Sequence, residues 1–159
     1  MGIEWQGLDE VVPQCLETLR KLLDPVLFDL ASTTSVVDFV VDPRPCIGCG
    51  CVLLPRGLTW EDVTRRGMNH PDMGPFAAYG WVDVDPTRPL EQLVSLAATE
   101  VQHMAMAMIW TRTGTGGWPL CPTHETHPLW PYPDRDLGVA VWECRKAGLR
   151  IPIGELSGT

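Results

Sequence analysis

The sequence predicts an α+β protein: a small antiparallel sheet with an N-terminal helix, a long central helix and a C-terminal ribbon-like hairpin. Apolar residues follow the helical period in two stretches, 8–23 and about 89–112, and β-rich runs bounded by proline and glycine occupy the segments beside them. A chain of 159 residues can bury a core of its own, so we expect a single domain over 1–159.

The N-terminal helix is predicted over residues 8–23, where leucine and valine side chains form one broad apolar face. Asp9 is the expected N-cap, and Pro13 falls in the first turn, where an N–H has no helical partner to lose. Pro25 is expected to stop or kink the helix, and the apolar patch 26–31 can continue it beyond that point.

Short strands are predicted on both sides of the long helix. Residues 36–41 are rich in valine, 51–54 have the composition of their hairpin partner, and 76–84 read as a further strand. Near the C-terminus, 139–142 and 149–153 are two more short strands. The first three runs are expected to form the small sheet, and the last two the ribbon-like hairpin.

Two further helices are predicted from capping signals and periodicity. Thr59 and Asp62 have the spacing of a capping box, so a short helix is expected to begin there and to end at Gly67. A loop containing His70 follows. The long helix is predicted from about 89 to 112, and the glycine-rich turn after it ends the helical pattern.

The composition limits the possible functions. The net charge is -8 and the isoelectric point about 4.8, so the chain repels phosphate backbones and general nucleic-acid binding is not expected. The N-terminus does not resemble a signal peptide, and no apolar run reaches the roughly 18 residues of a membrane span, so a cytoplasmic location without membrane contact is expected. There the six cysteines are expected to be thiols or metal ligands.

The most informative segment is the ribbon-like subregion 118–154, in which two short turns carry metal-binding residue types. Cys121 and His124 form a Cys-x-x-His turn, and 19 residues separate it from Cys144. Two Cys-x-x-ligand turns at this separation are typical of a zinc ribbon, in which two knuckles hold one metal between short hairpins. The second turn has Ala147 in the position of its last ligand.

Two sets of zinc ligands follow from the sequence, and the first combines distant segments. Cys46 and Cys49 form a Cys-x-x-Cys-Gly turn, whose glycine permits the left-handed backbone that a knuckle requires. Joined with Cys121 and His124 across 71 residues, they supply four ligands and a closed site.

The second set keeps the site within the C-terminal region. It contains Cys121, His124 and Cys144, completed by His127, by a cysteine of the first segment or by water. Its spacing is closer to that of a ribbon, and zinc suits a mixture of thiol and imidazole ligands. An interpretation without metal is also open, in which the cysteines are small buried apolar residues of a hairpin packed by tryptophans.

The segments Trp118–His124, His127–Leu129 and Val139–Cys144 resemble the C-terminal pattern of small actinobacterial-type proteins, and they are similar to zinc ribbons in general. The resemblance covers about a quarter of the chain. It implies a hairpin and a zinc site but no particular activity, because ribbons serve many functions. Ala147 departs from the ribbon pattern.

These features favour a non-catalytic zinc-binding adaptor, or a degenerate zinc-ribbon adaptor, that acts through contact with a protein partner. Trp130 and Tyr132 stand in a proline-rich segment and are expected to form the contact surface. The competing interpretation buries these rings, so that they hold the loop in place.

Two other functions compete with the adaptor. Glu100 and His103 are three residues apart on the long helix and share a face, so either would serve as acid or base beside a zinc in a small hydrolase-type enzyme. Alternatively, Cys46 and Cys49 would form the disulfide of a thiol redox protein.

Overall fold

The computed structural model describes residues 3–8, 11–35, 37–43, 49–66, 80–114 and 116–156. They form the helices α1 (Pro13–Thr33), α2 (Trp60–Arg66) and α3 (Leu90–Thr113). The strands are β1 (Glu4–Trp5), β2 (Phe39–Pro43), β3 (Gly50–Pro55), β4 (Gly80–Asp83), β5 (Trp130–Asp134), β6 (Val139–Cys144) and β7 (Leu149–Pro152). Helices and mainly antiparallel strands occur together, so the predicted α+β class is confirmed.

The strands form two sheets. The first has the order β1-β2-β3-β4, with β1 parallel to β2 and the other neighbours antiparallel. Strands β2 and β3 are the predicted hairpin, with Val41 opposite Leu53. Strand β4 falls within the predicted run 76–84, of which 76–79 lie outside the described residues. The second sheet, β5-β6-β7, is antiparallel and contains both strands predicted near the C-terminus.

One hydrophobic core lies between α1, α3 and the two sheets. Each fully buried leucine or valine contributes roughly 1.5–3 kcal/mol relative to an exposed one, so this shared core holds the two sheets together. The side chains buried there include Leu19, Leu22, Leu23, Val26, Phe39, Leu53, Ala97, Val101, Met104, Leu129 and Trp142.

Helix α1 differs from its prediction because it continues through Pro25 to Thr33. A proline inside a helix costs about 3 kcal/mol. Beyond it, Val26, Leu27 and Leu30 are all buried, and at roughly 1.5–3 kcal/mol each their burial outweighs that cost. The apolar patch after the proline is therefore part of the same helix.

The capping signals of the other helices are confirmed where the structure describes them. The hydroxyl of Thr59 accepts from the N–H of Asp62 (3.2 Å), and the carboxylate of Asp62 accepts from the N–H of Thr59 (3.1 Å), which is a capping box. Helix α1 begins at Pro13 with Val12 as its N-cap, so it starts later than the predicted residue 8 and its N-cap is not Asp9, which lies outside the described residues. The predicted helix end at Gly67 and the loop with His70 also lie outside them.

Helix α3 ends one residue later than predicted, at a glycine. Gly114 has a φ of 71°, in the left-handed region, and its N–H donates to the carbonyl oxygen of Trp110. The chain then leaves the helix toward the C-terminal sheet.

Strand β5 was not predicted, because its sequence contains two prolines. Pro131 and Pro133 are two residues apart, so both would direct a missing N–H to the same side of the strand. Since β5 is at the edge of its sheet, these positions can face away from β6 without breaking its ladder.

A disulfide joins Cys15 in the first turns of α1 to Cys49, the residue before β3. For these two cysteines the bond corrects the expectation of thiols or metal ligands, whereas Cys51, Cys121 and Cys144 are free. The disulfide ties the start of the helix to the first sheet over a sequence separation of 34 residues.

A buried carboxylate attaches the C-terminal region to α1. Asp29 is fully buried and accepts hydrogen bonds from the indole N–H of Trp142 (2.7 Å) and from the backbone N–H groups of Gly154 (2.7 Å) and Leu156 (2.9 Å). Burial raises the pKa of Asp29, although these hydrogen bonds act in the opposite direction.

A buried amide makes the equivalent connection from α3. The side-chain nitrogen of Gln102 donates to the carbonyl oxygens of Trp118 (2.8 Å) and Leu129 (2.6 Å), which lie on either side of the first knuckle. The knuckle is thus held at its base by the long helix. No helix in the described part of the chain combines the length and apolar character needed to cross a membrane.

The substitution Asp29→Asn tests the attachment to α1. It replaces one acceptor oxygen by an NH₂ group that faces N–H donors, and a buried donor without a partner costs about 1–3 kcal/mol. We expect the free energy of unfolding in urea to fall by that amount. Asp24→Asn, at an exposed position of the same helix, should change it by less than about 0.5 kcal/mol. Equal stability of the two variants would contradict the role of Asp29.

Candidate metal centre

The first knuckle lies in the connection between α3 and β5. An isolated antiparallel bridge pairs Leu120 with Pro128, and the backbone N–H of Cys121 donates to the carbonyl oxygen of His127 (3.0 Å). The chain between these pairs folds back on itself. As a result, Cys121 and His127 are close in space although five residues separate them.

A tight turn brings the other histidine to the same place. The N–H groups of His124 and Glu125 donate to the carbonyl oxygen of Cys121 (3.2 and 2.7 Å), and Glu125 has a φ of 53°. With this turn, Nδ1 of His124 lies 3.4 Å from Sγ of Cys121. The Cys-x-x-His spacing therefore works as a knuckle.

The second knuckle is the turn between β6 and β7. Cys144 is the last residue of β6, and Gly148, with a φ of 64°, allows the chain to return as β7. The backbone N–H of Ala147 donates to Sγ of Cys144 (3.4 Å). Ala147 has no ligand atom in its side chain, but its backbone still supports the sulfur.

Four ligand atoms converge between the two knuckles. The sulfurs of Cys121 and Cys144 and one ring nitrogen each of His124 and His127 all lie within 4.8 Å of one another. Nδ1 of His124 is 3.6 Å from Sγ of Cys144, and Nε2 of His127 is 3.2 Å from the same sulfur. In a tetrahedral zinc site, Zn–S and Zn–N bonds of about 2.3 and 2.05 Å give a sulfur–nitrogen distance of about 3.5 Å. These four residues are thus positioned to bind a metal ion such as zinc.

The environment of Cys121 and His124 favours their deprotonated forms. Burial acts to raise the pKa of the Cys121 thiol, but hydrogen bonds from the N–H groups of Thr123 and His124 and from the Cys144 thiol outweigh it, and the pKa is lowered. The pKa of His124 is also lowered, first by burial and then by the positive charges of His127 and Lys146. Thiolate and neutral imidazole are the forms that bind metals.

The structure brings together the local ligand set and completes it with His127. The distant set is not assembled: the sulfur of Cys49 is bonded to Cys15, and Cys46 lies outside the described residues. Cys49 is therefore not one of the converging ligands, and its disulfide partner is not the Cys46 that a redox pair would require.

The two acid–base candidates of α3 do not belong to the converging group. The side chain of Glu100 packs beside Gly80 of β4, in the first sheet. His103 is exposed to solvent. Although they share a helix with Gln102, neither residue is among the ligands that surround the centre.

A cavity of about 420 Å³ adjoins the metal centre. It is bounded by two of the ligands, by aromatic residues of β5 and by the charged turn after β6; its lining residues are His127, Trp130, Pro131, Tyr132, Glu143, Cys144, Arg145 and Lys146. Trp130 is 54% exposed and Tyr132 37% exposed, so both rings are accessible. Sequence reasoning does not identify Arg145 and Lys146 as cavity residues. Two adjacent cations in a turn are usually exposed to solvent, so the sequence offers no distinctive signal for them.

Comparison of the chain with protein-family models, with curated proteins and with solved structures finds no match. The chemistry of the centre must therefore be inferred from its own residues.

The substitution His127→Ala tests the fourth ligand. Removal of one of four ligands should weaken Co(II) binding by about tenfold or more and reduce the visible ligand-field bands of tetrahedral Co(II). His103→Ala, which changes an exposed histidine outside the centre, is the matched control and should leave the titration unchanged. Identical spectra for His127→Ala and the unchanged chain would remove His127 from the ligand set.

Proposed function

We propose that this chain is a zinc-binding adaptor, with a closed structural zinc site in a ribbon-like C-terminal unit that acts through protein–protein contact. The observation that carries the proposal is the convergence of four ligand atoms from two knuckles within 4.8 Å. A structural zinc site needs four ligands gathered around one position.

The choice of zinc rests on the chemistry of the ligands. Two thiolates and two imidazoles form the Cys₂His₂ set that zinc binds as a tetrahedron. Both cysteines are buried, which keeps competing water from the sulfurs. When bound, the ion would supply a crosslink between the α3–β5 connection and the β6–β7 turn, and so would stabilise the C-terminal sheet.

The choice of an adaptor over an enzyme rests on the ligand count. Catalytic zinc sites keep one position open for water or substrate, whereas four protein ligands fill a tetrahedron. Neither Glu100 nor His103, the residues that a hydrolase-type mechanism would use, belongs to the converging group. A zinc enzyme remains the second candidate, and it requires one of the four ligands to leave.

The protein-contact role is supported by the exposed aromatic surface beside the centre. Trp130 and Tyr132 belong to the same strand, two residues apart, and therefore share one face of β5. Aromatic side chains that remain exposed at such a fraction are typical of interfaces, where they anchor a partner. The resemblance to zinc ribbons agrees with a binding role.

Zinc content tests the metal site directly. The purified, untagged chain should contain about one zinc by ICP-MS, and Cys121→Ser and Cys144→Ser should each lose it. Cys51→Ala, which removes a buried free cysteine of the first sheet, should retain it. Absence of metal from the unchanged chain, or its retention by both serine variants, would overturn the zinc site.

Access to the metal separates the adaptor from the enzyme. Azide added to the Co(II)-substituted protein should leave the visible spectrum unchanged, because no coordination position is open. A saturable spectral shift would instead indicate an open site. In that case Glu100→Gln and His103→Ala would be compared in hydrolytic assays.

A further inference from the structure

The cavity beside the metal centre contains two chemically different walls. One wall is aromatic and apolar, made by Trp130, Pro131 and Tyr132 of β5. The other is the end of β6 and the turn after it, with Glu143, Arg145 and Lys146. A ligand that fits both walls must combine apolar and anionic groups.

The cationic wall carries positive charge that neighbouring carboxylates do not fully neutralise. Glu143 accepts from Nε of Arg145 (3.0 Å) and from Nη2 of Arg150 (3.0 Å), and Asp134 accepts from Nη1 of Arg150 (2.8 Å). Two carboxylates thus serve two arginines. Among the described residues, no carboxylate lies within salt-bridge distance of Lys146. Arg145 is also open to a ligand, since its side chain is 84% exposed.

The aromatic wall is not suited to a partner strand. An added β-strand would need N–H donors along the outer edge of β5, and neither Pro131 nor Pro133 has an N–H to offer. Exposed Trp and Tyr rings next to prolines instead favour an extended, proline-containing segment that packs its rings and side chains against them.

Building on the proposed zinc site, we propose that this cavity binds an acidic, proline-containing peptide segment of a partner protein. The apolar residues of the segment pack on Trp130 and Tyr132, and its carboxylates pair with Lys146 and Arg145. Two metal ligands, His127 and Cys144, also line the cavity, so zinc fixes the relative position of its two walls.

A nucleic acid is the less favoured occupant. Single-stranded nucleic acids bind along a continuous basic groove that neutralises several phosphates. Here the cationic wall is short: it offers Lys146 and Arg145, which is already paired with Glu143, so it can neutralise few phosphates. One or two carboxylates of a peptide match this wall better.

The test uses the zinc-loaded full chain and a phage-displayed library of random dodecapeptides, with counter-selection on the Trp130→Ala variant. The expected consensus contains aspartate or glutamate beside proline. A fluorescein-labelled consensus peptide is then titrated by fluorescence anisotropy, together with its counterpart in which every acidic residue is replaced by the corresponding amide.

Matched variants distinguish this site from the rest of the surface. Lys146→Glu and Trp130→Ala should each weaken binding of the acidic peptide by about tenfold or more, and the amide peptide should bind as weakly as these variants. Lys21→Glu and Trp110→Ala change an exposed lysine and a 50%-exposed tryptophan elsewhere, and they should bind like the unchanged chain. Circular dichroism verifies that each variant is folded.

The outcomes separate this inference from the zinc proposal, because zinc is measured in every sample. Stoichiometric zinc without acidic consensus peptides would overturn the peptide site and leave the zinc site standing. Equal binding of the acidic peptide by Lys146→Glu and by the unchanged chain would do the same. Selection of basic peptides would also overturn the peptide site. Tighter binding of a labelled poly(U) oligonucleotide with the same dependence on Trp130 and Lys146 would replace the peptide by single-stranded RNA. Acidic peptides selected by a chain that takes up no zinc would support the cavity and reject the metal site.

Discussion

The buried carboxylate of Asp29 is the interaction on which the arrangement of the C-terminal region depends. A carboxylate removed from water is costly, and here three N–H donors from β6 and the segment after β7 compensate for that cost. Because these donors come from positions more than 110 residues away in the chain, the bond specifies how the second sheet sits on α1. Gln102 does the same from α3, at the base of the first knuckle. The candidate metal centre is therefore built on polar contacts that lie inside the core.

This support explains how an incomplete ribbon pattern can still present four ligands. The second knuckle has Ala147 where a zinc ribbon would have a ligand, and a ribbon held only by its metal would then be one ligand short. Because the first loop is fixed against α3 and folded back on itself, His127 lies beside His124 and reaches the sulfur of Cys144. The site has the backbone of two knuckles, but three of its four ligand residues come from the first knuckle. Four ligands can therefore be assembled without two from each knuckle.

The parts of the fold that follow local rules could be predicted from the sequence. The period of α3, the capping box at Thr59 and the β2–β3 hairpin are each decided by neighbouring residues. The sequence left open whether the helix continues beyond Pro25 and did not predict β5, because burial in the core and an edge position override the usual effect of proline. For the centre, spacing predicted Cys121, His124 and Cys144 and kept His127 as one option, since only the folded loop decides among possible fourth ligands. The bond between Cys15 and Cys49 had no local signal, because disulfide pairing depends on tertiary distance.

The disulfide and the candidate zinc site lie in different parts of the chain and respond to different solution conditions. The disulfide joins α1 to the first sheet, and the candidate zinc site lies beside the β5-β6-β7 sheet. Closing a loop of this length lowers the entropy of the unfolded chain by an amount worth about 4 kcal/mol, so reducing conditions would loosen α1 from the first sheet. Chelators would act on the other crosslink, beside the β5-β6-β7 sheet. Conditions that are both reducing and poor in zinc would weaken both crosslinks. Either condition alone would leave the other crosslink in place. With zinc bound as proposed, the persistence of this protein would depend on both ambient thiol chemistry and metal supply.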